Sequence, residues 1–297
     1  MLRTITAGVD GSPESLAAAR WAAREAGRRC MRLLLLHAVP GRPGGKTVAT
    51  PTDPAPRTAG RHWAPDALKE ALTGKYPDLP VAVREVVGRP VPWLLEAAEQ
   101  SEMLVLGARG SGAAALLPGS VARAAARRSP VPVVLLHAGE RESDEHQPDA
   151  NGNPSTMTPS REVVLGVDVT RPDDRVMEFA FDAAARRAAP LHVVHGPAGR
   201  PAAEPGGGPG EEPGDGDGGP YRALDEVLAP WAERFPQTDV ITETVVGGPG
   251  SHLAETASDA CLLVIGRRGH GPPFGTGSVS RTVLRRTGVP VAIVPHG

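Results

Sequence analysis

The chain has 297 residues, with 32 basic and 34 acidic side chains and a net charge of −2. At roughly 100–200 residues per domain, this length suits two domains, and the near-neutral balance argues against a general attraction to nucleic acid or anionic membrane. Two cysteines, Cys30 and Cys261, are too few for a disulfide framework or a structural zinc site, which favours a reducing compartment. No apolar run reaches the roughly 18 residues of a membrane span, and Asp10 interrupts the first stretch before it could serve as a signal peptide. The expectation is a cytoplasmic protein with no membrane and no nucleic-acid partner.

In chain order, Leu2–Val9 reads as a strand, followed by Ser12-Pro13-Glu14. That triplet is a helix start: a hydroxyl N-cap, proline at the first helical position and an acid in the first turn. Leu16, Ala19, Ala23 and Ala26 then share one helical face. The apolar run Leu33–Val39 is a second strand, Pro65–Leu72 a helix, Val81–Val87 a strand and Val91–Ala98 a helix. Met103–Leu106 is a short buried strand, Gly119–Arg128 a helix, and Val131–Leu136 a closing strand. Apolar strands alternating with helices imply a parallel sheet covered on both faces. Pro132 within the closing strand implies a sheet edge, where a missing N–H does no harm.

The pattern then repeats. Thr4–Pro13 resembles Glu162–Pro172, Met103–Gly110 resembles Leu262–Gly269, Gly119–Val121 recurs at Gly277–Val279, and Val131–Val133 at Val289–Val291. All four matches keep one order and a spacing of 158 or 159 residues. The chain is therefore a tandem duplication, with domains at 1–138 and 161–297 and a polar linker at 139–160. Gly and Pro supply 15 of the 24 residues of Pro197–Pro220, which lacks large apolar side chains and is expected to be a disordered loop. Pro40–Arg61 and Gly139–Ser160 are milder cases. The two closing strands would each expose unpaired backbone, so they are expected to join the repeats as an internal pseudo-dimer.

Each repeat carries glycines after its buried strand: Gly107 and Gly110 ahead of Gly119-Ser120, and Gly266 and Gly269 ahead of Gly277-Ser278. Glycines let backbone N–H groups approach an anion, and a helix N-terminus adds positive dipole. A Gly-rich turn with a Ser cap is the plain structural alternative. Asp10 and Asp168 each follow the first strand of a repeat, where an open parallel sheet holds its ligands; such an acid either receives a ribose hydroxyl or organises the turn. Other motifs carry less. Gly45-Lys46-Thr47 lacks the first glycine of a P-loop, and Asp215, Asp217 and Glu226 have calcium-loop spacing with Pro220 at the glycine position. Cys30 and Cys261 read as buried small hydrophobes, His37, His137 and His195 as packed or capping residues, and Arg109, Arg267 and Arg268 as solvated loop arginines or phosphate ligands. No catalytic residue or metal cluster stands out.

The ordered set GVDGSP, VLGARG with its following GS, and the terminal PVPVV resembles the universal stress protein family in its tandem-domain form. That resemblance implies two five-stranded parallel α/β domains of strand order 3-2-1-4-5, related to adenine nucleotide α-hydrolase-like folds. It implies ATP, with or without Mg²⁺, held by Asp10, Ala38, Gly107, Gly110, Gly119 and Ser120 in the first half. Asp168, Gly196, Gly266, Gly269, Gly277 and Ser278 would hold it in the second. Asp10 and Asp168 would lie near the adenosine, and the backbone of Ala38 and Gly196 near adenine. The function implied is non-enzymatic stress or metabolic-state signalling; a nucleotide-free adaptor acting through protein contacts is the alternative, and a homodimer of the whole chain stays open. The glycine spacing departs from the family's nine intervening residues, with eight after Gly110 and seven after Gly269, and Val169-Thr170-Arg171 replaces the Gly11-Ser12 wall. The first half is therefore expected to bind more tightly.

Overall fold

A computed structural model describes residues 3–39, 63–108, 119–196, 219–245, 249–268 and 279–297. In the first repeat, strands β1 (Thr4–Val9), β2 (Arg32–Val39), β3 (Val81–Val87), β4 (Met103–Gly107) and β5 (Val133–Leu136) alternate with helices. These helices are α1 (Pro13–Arg28), α2 (Pro65–Lys75), α3 (Pro90–Ala98) and α4 (Ser120–Arg128). The second repeat supplies β6 (Val163–Val167), β7 (Leu191–His195), β8 (Val240–Thr244), β9 (Leu262–Arg268) and β10 (Val291–His296). Its helices are α5 (Asp174–Arg187), α6 (Gly219–Arg234), α7 (Pro249–Thr256) and α8 (Val279–Arg286). None of the helices among the described residues is long and apolar enough to cross a membrane.

The helix start anticipated at Ser12 is formed: its hydroxyl accepts the Ser15 N–H at 3.3 Å, and Pro13 opens α1. Alanines bury α1 on more than one face, with Trp21 fully enclosed among them. Small side chains let this helix lie close against the sheet while its far side packs toward the other repeat. Both α1 and α5 end in a left-handed residue, Cys30 (φ 51°) and Ala188 (φ 47°), at positions 158 apart. The backbone closes over each with a bond spanning five residues, Met31 N–H to the Ala26 carbonyl and Ala189 N–H to the Ala184 carbonyl. This turn leaves Cys30 exposed, against the expectation of burial. Cys261 is buried as expected, and burial pushes its thiol up to about 12.

All ten strands form one sheet, in the order β3-β2-β1-β4-β5-β10-β9-β6-β7-β8. Each half has the 3-2-1-4-5 order with parallel pairing, and the halves meet through antiparallel β5 and β10. The central pair of that junction is Val134 with Ala292, which are equivalent positions of the repeat, so the local pseudo-twofold axis passes between them. Pro132 needs correction: it precedes β5, and β5 is an edge only within its own repeat, being interior to the whole sheet. Its carbonyl accepts the Leu104 N–H at 2.9 Å.

The segment 139–160 also departs from the expected disorder, because it is a loop bound to the fold. It carries a 3-10 turn at Glu142–Glu145 and an antiparallel bridge from His146 to Ser160. Arg24 of α1 donates to Glu145 at 2.9 Å and also pairs with Glu140, while Arg28 pairs with Glu145. Beside this strap lies Glu25, fully buried, which receives Arg187 at 2.6 Å and Arg29 at 2.5 Å. Arg29 and Arg187 occupy equivalent positions, yet both converge on one carboxylate, whose own counterpart is Ala183. Burial opposes the charge on Glu25, but the three surrounding guanidiniums of Arg187, Arg29 and Arg28 hold its carboxyl well below the usual range. Glu140 shows the reverse balance: burial, with Glu145 and Asp144 adding to it, pushes its carboxyl up to about 7 despite Arg24.

Pro40–Arg61 lies outside the described residues, as does most of Pro197–Pro220. The latter's last two residues are not loop: Gly219 and Pro220 begin α6.

Candidate functional site

Each repeat opens a cleft at the carboxyl ends of its two central strands, where the strand order reverses and ligands of open α/β sheets bind. The first is about 240 Å³ and the second about 220 Å³. Asp10, Ala38, Gly107, Gly119 and Ser120 all line the first. Asp168, Gly196 and Gly266 line the second. Gly110, Gly269, Gly277 and Ser278 lie outside the described residues, as does Arg109.

In the first cleft, Asp10 closes a tight turn. Its Oδ1 accepts the Ser12 N–H at 3.0 Å and the Ser12 hydroxyl at 2.6 Å, while Gly11 takes the left-handed backbone (φ +83°) that the turn requires. The Ser15 hydroxyl accepts the Asp10 N–H at 3.2 Å. Across the hollow, α4 begins at Gly119 without a side-chain cap, so the first N–H groups of the helix have no partner from a capping side chain. His37 and His195 behave as capping residues: each ring Nδ1 meets the carbonyl that ends the neighbouring strand, Val9 at 2.8 Å and Val167 at 3.2 Å.

The second cleft keeps the acid and re-routes the wall. Asp168 Oδ1 accepts the Thr170 N–H at 3.1 Å and hydroxyl at 2.6 Å, reproducing the Asp10 pattern. Val169, unlike Gly11, does not take a positive φ. The helix starts later, capped by Asp173, whose carboxylate accepts the Arg175 N–H at 3.0 Å. The expected alteration thus lies in the backbone path and the cap; the acid–hydroxyl pair survives. Arg268 donates to Asp168 Oδ2 at 2.8 Å. Partial burial works against ionisation of Asp168, but the Thr170 hydroxyl and the Arg268 guanidinium hold its carboxyl below the ordinary value. Arg267 is no solvated loop residue: it is buried and donates to the Ser129 carbonyl of the first repeat at 2.8 Å.

The strand-end glycines sit in different surroundings. A side chain at Gly107 would meet the backbone of Glu14 and Ser15 at 2.7 Å, so α1 itself demands glycine there. At Gly266 the nearest atom is Nε2 of His296, at 2.6 Å. Burial lowers the His296 pKa, with Asp173 opposing at 3.7 Å. Asp173 and His296 were not anticipated as cleft residues. Their first-repeat counterparts are Ser15 and Ala138, and that mismatch between the copies was the available signal. Among the described residues, no group of three or more His, Cys, Asp or Glu side chains is arranged to hold a metal ion.

Fold and clefts together define a tandem pair of open, doubly wound α/β units, each with a cleft at its switch point. The profile of the universal stress protein family matches residues 1–137 and again 159–295, and the chain belongs to that family. Two universal stress proteins of Mycobacterium tuberculosis are 33% and 31% identical to it, over 97% of this chain and 96% and 95% of theirs. The crystal structure of a universal stress protein from Archaeoglobus fulgidus shares the fold with a TM-score of 0.64 at 18% identity, covering 99% of this chain and 98% of that one.

Proposed function

We propose that this protein binds adenine nucleotides, ATP first among them, as a non-enzymatic cytoplasmic sensor of stress or metabolic state. The observation that carries the reading is the first cleft, where a strand-end acid and an uncapped helix N-terminus face one hollow at the switch point. Asp10 accepts a ribose hydroxyl, and the backbone at Ala38 contacts adenine. The N–H groups around Gly119, with the Ser120 hydroxyl, receive phosphate oxygens. The residues fit the nucleotide without a catalytic group: serine hydroxyls line the cleft, and a triphosphate brings its own Mg²⁺. The second cleft binds more weakly, because His296 crowds Gly266 and Arg268 already occupies Asp168.

Mass spectrometry of the nucleotides released from purified, denatured protein tests the reading directly. ATP or another adenine nucleotide is expected at up to one equivalent per occupied cleft. Calorimetry then separates the clefts: Gly119→Val places a branched side chain at the first cradle and removes the tighter binding event. Protein that releases no nucleotide and takes up none on titration would instead be an adaptor of the same fold.

A further inference from the structure

The second cleft carries its positive charge in an unusual place for a phosphate-chain site. Arg268, at the end of β9, donates to Asp168 at 2.8 Å, and Arg171 joins the same turn, its N–H bound to the Asp168 carbonyl at 3.0 Å. Both arginines line the cleft, and Arg171 is exposed and makes no ion pair among the described residues. The turn that it lengthens corresponds to Gly11-Ser12 in the first repeat, which has no charge. Arg109, the counterpart of Arg268, lies outside the described residues, so the contrast rests on Arg171. His296, the register partner of Arg268 on the adjacent strand, fills the space beside Gly266. Guanidinium donors therefore gather around the acid, while room is lost beside the strand-end glycine.

In dinucleotide-binding sheets a ribose-side acid receives the hydroxyl or, in its place, a nearby arginine accommodates a phosphate carried on that hydroxyl. The guanidinium fork matches phosphate geometry and forms charge-assisted bonds that an uncharged hydroxyl cannot match. We infer that the second cleft takes an adenine nucleotide carrying a phosphate on its ribose, recognised by Arg171 and Arg268. This rests on the proposed assignment of Asp10 and Asp168 to the ribose side. Arg268 exchanges Asp168 for the ribose phosphate, and Arg171 closes on it from the rim.

The test uses the full chain with the first cleft blocked by Gly119→Val, titrated calorimetrically with AMP, adenosine 2′,5′-bisphosphate and adenosine 3′,5′-bisphosphate. One of the bisphosphates is expected to bind about tenfold more tightly than AMP, the value of one charge-assisted contact near 1.4 kcal/mol. Arg171→Ala, at an exposed position, should remove most of that preference while changing AMP affinity less than about twofold. Arg268→Gln should weaken the bisphosphate and leave AMP unchanged or improved, since it frees Asp168. Inorganic phosphate serves as the control and should not compete at equal concentration. Equal affinity for AMP and both bisphosphates, or a preference untouched by both arginine variants, overturns this inference alone. Absence of adenine-nucleotide binding to the unblocked wild-type chain overturns the proposed function and this inference together.

Discussion

The two clefts are copies of one design, and their difference separates what a duplicated scaffold keeps from what it lets go. Both retain the acid at the end of the first strand and a hydroxyl two residues later, with near-identical hydrogen bonds. Both sit where parallel strand registers bring the same strand ends together. What diverges is whatever packs behind the strand-end glycine: the backbone of α1 behind Gly107, and the side chain of His296 against Gly266. Strand register constrains the position of the hollow. The groups lining it answer only to their immediate neighbours.

The largest effect is expected at the junction that makes the repeats unequal. Glu25→Ala leaves Arg187 buried without its carboxylate and Arg29 with Asp182 alone, which costs about 3–5 kcal/mol in a urea unfolding experiment. The same carboxyl is held down to about 2 in the folded protein, against an ordinary value of 4.5. Its contribution is therefore fully present above pH 4.5 and is lost as the pH falls toward 2. An acid limb that is unchanged in the variant would show that the arginines do not rely on Glu25.

The strand-end glycines come next. Gly107→Ala forces a Cβ against rigid backbone and should cost about 1–3 kcal/mol, whereas Gly266→Ala meets mainly side-chain atoms and should cost about 1 kcal/mol or less. Adding His296→Ala to Gly266→Ala should recover most of the smaller loss, and no such rescue exists for Gly107→Ala. Equal costs in both repeats would erase the contrast drawn between the clefts. Thermal melting of the three variants decides the point.

A moderate, pH-dependent effect is expected in the strap between the repeats. Glu140, pushed up to about 7 by burial, stays protonated in the fold over a range where the unfolded chain has released the proton. Stability therefore declines as pH rises from about 4.5 through 7, and Glu140→Gln should flatten that decline, gaining about 1 kcal/mol at pH 8 and little at pH 5. Melting temperatures across that range check it. The smallest effect belongs to Arg268→Ala: its pair with Asp168 is partly exposed and should be worth less than about 1 kcal/mol. The Asp168 pKa should nevertheless move up toward its ordinary value, visible as a shifted carboxyl titration by NMR.

The sequence by itself determined the duplication, the order of strands and helices, and the strand pairing that joins the repeats. These rest on local patterning: apolar runs, the Ser12-Pro13 helix start, and two copies that check one another. Asp10, Gly107, Gly119 and Ser120 were legible as neighbours because strand ends and a helix start meet at a switch point, whereas Ala38 was legible only through the family resemblance. Tertiary structure alone decided the rest. The segment 139–160 owes its order to Arg24 and Arg28, more than a hundred residues away on α1, and nothing in its own composition records them. Arg267 reads as a loop cation until Ser129 of the other repeat is seen beside it. Cys30 is outward because a helix ends there in a left-handed turn, and His296 enters the second cleft because β10 runs alongside β9 and carries it past Gly266. A contact between residues far apart in the chain leaves no periodicity in either segment, so burial, pairing and charge at such positions follow only from the packed molecule.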